Sequence, residues 1–261
     1  MSENVLSVKD LSMSFGGLKA VDSLSFHIKG KEILGLIGPN GAGKTTVFNC
    51  ITQFYKNYEG IVILQGANKD KDLREVPVHK IIDYGIARTF QNLELIPDTS
   101  VMDNVLIGAH KDVKSNIIHH ILQFPSLKRN EKRLKEKAER ILAFLGIDHL
   151  KDAYVHGQPY GIMKLIEIGR ALMGDPSLLI LDEPAAGLNE KETKHLEGIV
   201  KKINEEYETA ILLIEHNMGF VMDLCNTVIA INFGRFLAQG TPKEVQNNKA
   251  VQEAYLGEAE S

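Results

Sequence analysis

Glu32-Ile33-Leu34-Gly35-Leu36-Ile37-Gly38-Pro39-Asn40-Gly41-Ala42-Gly43-Lys44-Thr45-Thr46 is the stretch whose reading decides the fold. An apolar run enters a glycine-rich turn, and helix-compatible sequence follows, so the segment reads as strand, loop and helix. The turn from Gly38 to Thr45 matches the phosphate-cradling P-loop pattern. Its glycines let the backbone turn N–H groups inward around an anion, and the start of the following helix adds partial positive charge. Lys44 then reaches the terminal phosphates, Thr45 holds Mg²⁺ and Thr46 stands beside them as a further nucleotide contact. The expected ligand is a nucleoside triphosphate.

A second apolar run, Leu178-Leu179-Ile180-Leu181, ends in Asp182-Glu183. A buried strand with two terminal carboxylates brings acidic groups to the carboxyl edge of a parallel sheet, beside the P-loop. Asp182 is the expected Mg²⁺ partner, and Glu183 the base that orients and polarises the attacking water. A third run, Ile211-Leu212-Leu213-Ile214, ends in Glu215-His216, where the histidine is either a contact of the γ-phosphate that helps to position the water or a satisfied polar cap at a strand end.

The 261 residues suffice for one large α/β domain with a subdomain, and a hydrophobic content of 44% supports a buried core. A formal charge of −4 offers no electrostatic footprint for nucleic acid, which is not an expected partner. No apolar run approaches the ~20 residues that cross a bilayer, and the polar start Met1-Ser2-Glu3-Asn4 does not read as a signal peptide. Cys50 and Cys225 lie in apolar surroundings without metal-ligand spacing and read as buried free thiols.

Short runs rich in Val, Ile and Leu predict strands at Val5 to Val8, Leu24 to Ile28, Ile33 to Ile37, Ile61 to Leu64, Leu178 to Leu181, Ala210 to Ile214 and Thr227 to Phe233. The first two alternate apolar and polar residues, as in an antiparallel sheet with one exposed face. Leu178 to Leu181 and Ile211 to Ile214 are continuous, as in parallel strands buried on both faces, so a mixed sheet with a parallel central part is expected. From about Asn92 to Leu172 the texture turns helical and highly charged. Leu134, Ala138, Ile141, Leu142 and Leu145 make one apolar helix face there. Asn189 with Glu192 reads as a capping box, and Gly234-Arg235 as the turn of a hairpin. The expected organisation is a first part of an ATP-binding core with an antiparallel β-subdomain over 1–91, a helical subdomain over 92–172, a second part of the core over 173–234 and a C-terminal extension over 235–261.

In these residues the whole chain resembles the ATPase subunit of ABC transporters: Gly38 to Thr45, Gln91 within Arg88-Thr89-Phe90-Gln91, Gly161, Glu167 to Leu172, Leu178 to Glu183 and His216. The resemblance implies an α/β P-loop NTPase fold with a RecA-like core, an N-terminal antiparallel β-subdomain and a helical subdomain. It implies ATP with Mg²⁺ as ligands, Phe15 as the aromatic that stacks on adenine, and Gln91 as a residue that touches Mg²⁺ and senses the membrane partner. Ala186-Gly187-Leu188-Asn189 matches the D-loop at the interface with a second ATPase subunit, identical or sibling. Two such subunits close on ATP and reopen on hydrolysis, driving membrane-spanning permeases at the cytoplasmic face of the inner membrane. An extracytoplasmic substrate-binding protein is an indirect partner. The groove near Gln91 and the helical segment after it, Asp98 to Gly108, form the implied docking surface, with Leu95, Ile96, Val101 and Met102 as apolar candidates, half of them expected in the core instead.

The signature loop departs from the common Leu-Ser-Gly-Gly-Gln, which falls on Gln158-Pro159-Tyr160-Gly161-Ile162. Pro159 has neither the hydroxyl nor the backbone N–H that serine offers the partner's nucleotide. A dimer with two unequal sites is the hypothesis this motivates, and equal turnover at both sites of a mixed dimer counts against it. The Pro-Tyr-Gly signature, Ser14 to Leu18, Ala185 to Asn189, Leu213 to Met218 and Ala254 to Glu258 look like the ATPase of high-affinity branched-chain amino-acid importers. Gln158 and Ile162 differ even from that group. Importers of urea or short amides use closely similar ATPases, and a nucleotide-binding subunit with little turnover is the other alternative. A single P-loop and no sustained heptads argue against ABC proteins of translation or DNA repair.

Overall fold

The computed structural model describes residues 4–66, 70–89, 93–112 and 125–259. Strands β1 (Asn4–Phe15) and β2 (Leu18–Lys29) form an antiparallel hairpin with Phe15 opposite Leu18. Along β2, Leu24, Phe26 and Ile28 are buried while Ser25 and His27 are exposed, which is the two-residue period of a sheet with one wet face. The next strand, β3 (Ile33–Ile37), is buried throughout and leads into α1 (Lys44–Ile51). β4 (Glu59–Leu64) pairs with β1, and the short β5 (Lys71–Asp72) completes a sheet in the order β2-β1-β4-β5.

The second sheet gathers β3 with β6 (Ile86–Arg88), β7 (Leu178–Asp182), β8 (Ala210–Ile214), β9 (Thr227–Asn232) and β10 (Arg235–Gly240). Its order is β10-β9-β3-β8-β7-β6, parallel except for β10. The sequence boundary at 234/235 falls at the turn of the β9–β10 hairpin. β10, read from the sequence as the start of a C-terminal extension, is therefore a strand of the core sheet.

Period-two alternation divides the central strands between two apolar cores. Leu178, Ile180 and Leu212 face the antiparallel sheet together with Val47, Phe48 and Ile51 of α1. Leu179, Leu181 and Leu213 face the helical layer. That layer comprises α2 (Val101–Leu106), α3 (Pro125–Phe144), α4 (Tyr160–Leu172), α5 (Glu190–Glu206) and α6 (Met218–Leu224). The apolar face expected on α3 is buried in it, from Leu134 to Leu145. The chain closes with α7 (Pro242–Gln246) and α8 (Lys249–Ala259). Among the described residues no helix is long and apolar enough to cross a membrane.

β6 escaped the sequence reading. Its three residues are too few to show a period, and only pairing with β7 makes them a strand. Of the apolar docking candidates, Val101 is fully buried, Leu95 and Met102 pack partly against the core, and Ile96 is exposed. Both cysteines are free and buried, and loss of water pushes each thiol up to about 12.

Candidate functional site

Parallel pairing puts the ends of three adjacent strands level. Leu36 of β3 lies opposite Ile214 of β8, and Ile214 lies opposite Asp182 of β7. The P-loop, the Asp182-Glu183 pair and His216 therefore leave the sheet at one carboxyl edge, where open α/β sheets bind ligands.

In the P-loop, Gly43 caps α1 at φ +101, and a Cβ there would stand 2.4 Å from the carbonyl oxygen of Ala20. Only glycine fits that corner. No side chain caps the start of α1, whose first turn also lacks acidic residues. The loop is braced from both sides, by Ala42 N–H on Pro39 O at 3.1 Å and by Gly234 N–H on Ala42 O at 2.9 Å. Lys44 is buried, and its ammonium donates to the carbonyls of Gly38 at 2.6 Å and Pro39 at 2.9 Å. Gly38 and Pro39 are buried, Asn40, Gly41 and Thr45 are exposed, and Thr46 is half-buried. Phe15 stands at the end of β1, 43% exposed, with its ring edge-on to Tyr55 at 5.1 Å between centroids.

Asp182 is buried, and its pKa rises to about 6, chiefly because burial strips water from the carboxylate and then because Glu183 adds a like charge. The charges of Lys164 and Arg88 pull the other way. Arg88 rests on the Phe54 ring, 3.9 Å from its centroid, and burial lowers its own pKa to about 10. Thr89 N–H bonds Ile180 O at 2.9 Å, tying this edge to β7. Glu183 adopts φ +46, a left-handed conformation that costs a non-glycine residue energy and that surrounding contacts must hold. Its N–H donates to Ile214 O at 2.9 Å, and its Oε1 lies 3.5 Å from His216 Nδ1.

The signature residues lie at the start of α4. Pro159 is the N-cap of α4, and Tyr160 opens the helix. The Tyr160 ring lies against the D-loop, since a Cβ on Gly187 would meet it at 3.1 Å. Lys164 holds its ammonium 5.5 Å from the centre of the same ring. Gly161 borders Glu192, which completes the capping box with Asn189 at the start of α5. Ala186 and Leu188 are half-buried, and Gly187 and Asn189 are exposed. Gln91 lies outside the described residues.

Sequence reasoning passed over Glu215 and Asn104, both wholly buried. Asn104 donates to Ile96 O, Thr99 Oγ1 and Ser100 O, and accepts from Ile96 N–H and Arg170 at 2.6 Å. That network holds the 94–100 segment, to which Arg170 adds a bond at Glu94 O of 2.6 Å.

Comparison with known proteins agrees with this architecture. Residues 21–186 match the family described as ABC transporter, and residues 237–261 match the branched-chain amino acid ATP-binding cassette transporter family. The chain is 40% identical over 259 residues to the high-affinity branched-chain amino acid transport ATP-binding protein LivG of Escherichia coli, covering 99% of this chain and 100% of that one. It is 39% identical to the corresponding BraF of Pseudomonas aeruginosa, with the same coverage of 99% and 100%. A solved ATP-binding cassette of an ABC transporter in its ADP conformation superposes with a TM-score of 0.84 at 31% identity, covering 98% of this chain and 100% of that chain. The chain belongs to the ATP-binding subunits of ABC transporters, among the relatives of the branched-chain amino acid transport ATP-binding proteins.

Proposed function

We propose that the chain couples ATP binding and hydrolysis to the uptake of branched-chain amino acids through separate membrane-spanning permeases. The observation that carries this reading is the end-to-end similarity to LivG and BraF, including the C-terminal match at 237–261. The site supplies the chemistry. Phe15 stacks on the base, the P-loop from Gly38 to Thr46 cradles the phosphates, and Lys44 moves from the Gly38 and Pro39 carbonyls to the terminal phosphates. Glu183 orients the attacking water and takes its proton, and His216, 3.5 Å away, holds the γ-phosphate side of that water.

The residues present fit Mg²⁺. Asp182 is buried among Glu183 and Glu215, a concentration of negative charge that a divalent cation relieves, and Thr45 offers an exposed hydroxyl at the start of α1. Among the described residues no three potential ligands form a closed metal cluster. An ion held by one or two protein groups and by substrate phosphates suits that arrangement. When bound, it neutralises phosphate charge, while Thr45, Asp182 and Gln91 are the side chains that hold it.

The permease contact is assigned to a groove of about 390 Å³ lined by Phe54, Ile81, Ile82, Ile107, Glu167 and Arg170. It adjoins the 94–100 segment latched by Asn104 and Arg170. A second ATPase subunit meets the chain at Pro159, Tyr160, Gly161 and the D-loop from Ala186 to Asn189. The assembly works at the cytoplasmic face of the inner membrane, fed by an extracytoplasmic binding protein.

Labelled leucine uptake in cells whose only copy of the chain carries Glu183→Gln tests the reading, with expression and membrane association checked. Loss of uptake, with nucleotide binding kept in Glu183→Gln and weakened in Lys44→Ala, is the expected result. Unchanged leucine uptake would refute the substrate assignment and direct the assay to urea and short amides.

A further inference from the structure

Glu215 is a wholly buried carboxylate at the end of β8, next to the segments that carry both Glu183 and His216. One oxygen, Oε1, accepts the N–H of Ala185 at 2.9 Å. The other, Oε2, accepts the N–H groups of His216 at 3.0 Å and Asn217 at 3.1 Å. A buried anion satisfied by backbone donors on two separate loops holds those loops at a fixed spacing.

The identity of the donors matters. Glu183 is followed by Pro184, which has no N–H, so Ala185 supplies the first amide after Glu183 that can anchor the turn. Glu183 itself is held to β8 by its own N–H on Ile214 O at 2.9 Å. The left-handed Glu183 is thus fastened on both sides to the end of β8, once through Ile214 and once through Glu215. From Ala185 the chain turns directly into the D-loop, with Leu188 N–H on Ala185 O at 3.2 Å. On the other side, Asn217 caps α6 by accepting Phe220 N–H at 3.2 Å, so the His216 backbone is held between the Glu215 carboxylate and the capped start of α6.

We propose that Glu215 is a positioning residue for ATP hydrolysis, clamping the Glu183 turn and the His216 loop to one another so that the two side chains meet across the attacking water. This rests on the assignment of Glu183 and His216 to the hydrolytic step. Glu215 touches neither the P-loop nor Phe15 in any of these bonds, so its loss falls on turnover and spares nucleotide capture. Glutamine at 215 keeps the size but turns an N–H₂ toward backbone donors, leaving one of the two loops unheld.

The test uses the full chain, with nucleotide affinity from a fluorescent ATP analogue and single-turnover hydrolysis of labelled ATP. Glu215→Gln should lower the rate by about 100-fold, the scale of an ångström of misplacement, with affinity within about 2-fold of wild type. Adding Glu215→Gln to Glu183→Gln should cost little more, because the clamp acts through Glu183. Glu215→Asp keeps a carboxylate near His216 and Asn217 but withdraws from Ala185. It serves if the glutamine variant fails to fold, and is expected to lose rate by a smaller factor with affinity retained. A wild-type rate in either variant, an equal loss of affinity, or full additivity with Glu183→Gln overturns the clamp. Normal hydrolysis in Glu183→Gln alone would instead overturn the assignment on which it rests.

Discussion

Asp182 carries a proton more tightly in the folded chain than in the unfolded one, because its pKa rises to about 6 through burial and the neighbouring Glu183. A carboxyl perturbed in this direction costs no stability below its unfolded value. The cost grows as pH rises through that value toward the folded pKa, and it is fully present above about 6. The nucleotide-free protein should therefore lose stability between about pH 4 and pH 6 on account of this group. Asp182→Asn should flatten that stretch of the melting profile and raise Tm at pH 8 by several degrees, at about 2–4 °C per kcal/mol of the burden removed. Addition of Mg²⁺ together with ATP should stabilise wild type more at pH 8 than at pH 5, and Asp182→Asn should gain less from the ion. Scanning calorimetry across pH, with and without the ion, reads all of these. Equal melting of the two proteins at pH 8 would show that Asp182 carries no such burden.

At the scale of elements, α5 owes its start to reciprocal bonds. Asn189 accepts Glu192 N–H, and the Glu192 carboxylate accepts Asn189 N–H, each at 3.0 Å. Asn189→Ala should cost about 1 kcal/mol, read as a lower urea midpoint at unchanged m-value. This capping box was legible in the sequence because its chemistry is local, and so were the P-loop, the buried runs of β7 and β8 and the apolar face of α3. Elements that depend on distant partners were not. Ile86 to Arg88 becomes a strand only beside β7, and Asn104 resembles any polar helix residue until Arg170 and the 96–100 carbonyls surround it. Glu215 reads as a polar strand end, and only the fold turns the Ala185 amide toward it. Tyr160 was legible as a departure from the common signature, but its contact with Gly187 belongs to the packing of α4 against the D-loop.

Across the whole molecule, Arg88 links the nucleotide edge to the proposed permease groove, since it lines the groove and its charge acts on Asp182. Ile107 lies in the groove, 40% exposed, and no nucleotide-site bond described above involves it. Ile107→Glu should leave ATP binding by the isolated chain intact while cutting co-purification with the permeases about 10-fold or more. Pull-down from membranes beside a nucleotide-binding assay separates the two effects, and undiminished co-purification would move the docking surface elsewhere.

The sheet order also constrains how the protein is made. Among the described residues β3, which feeds the P-loop, pairs with β8 and β9, and the P-loop is braced by Gly234 from the turn that follows. Ribosomes deliver Ile33 to Lys44 well before these partners, which follow after roughly ten to forty seconds of further elongation. Through that interval the nascent chain carries a fully apolar strand without its neighbours, a natural client for chaperones. Competence to bind ATP is thus acquired late in synthesis, and a chain truncated before Ala210 carries the whole phosphate-binding sequence without the sheet that shapes it.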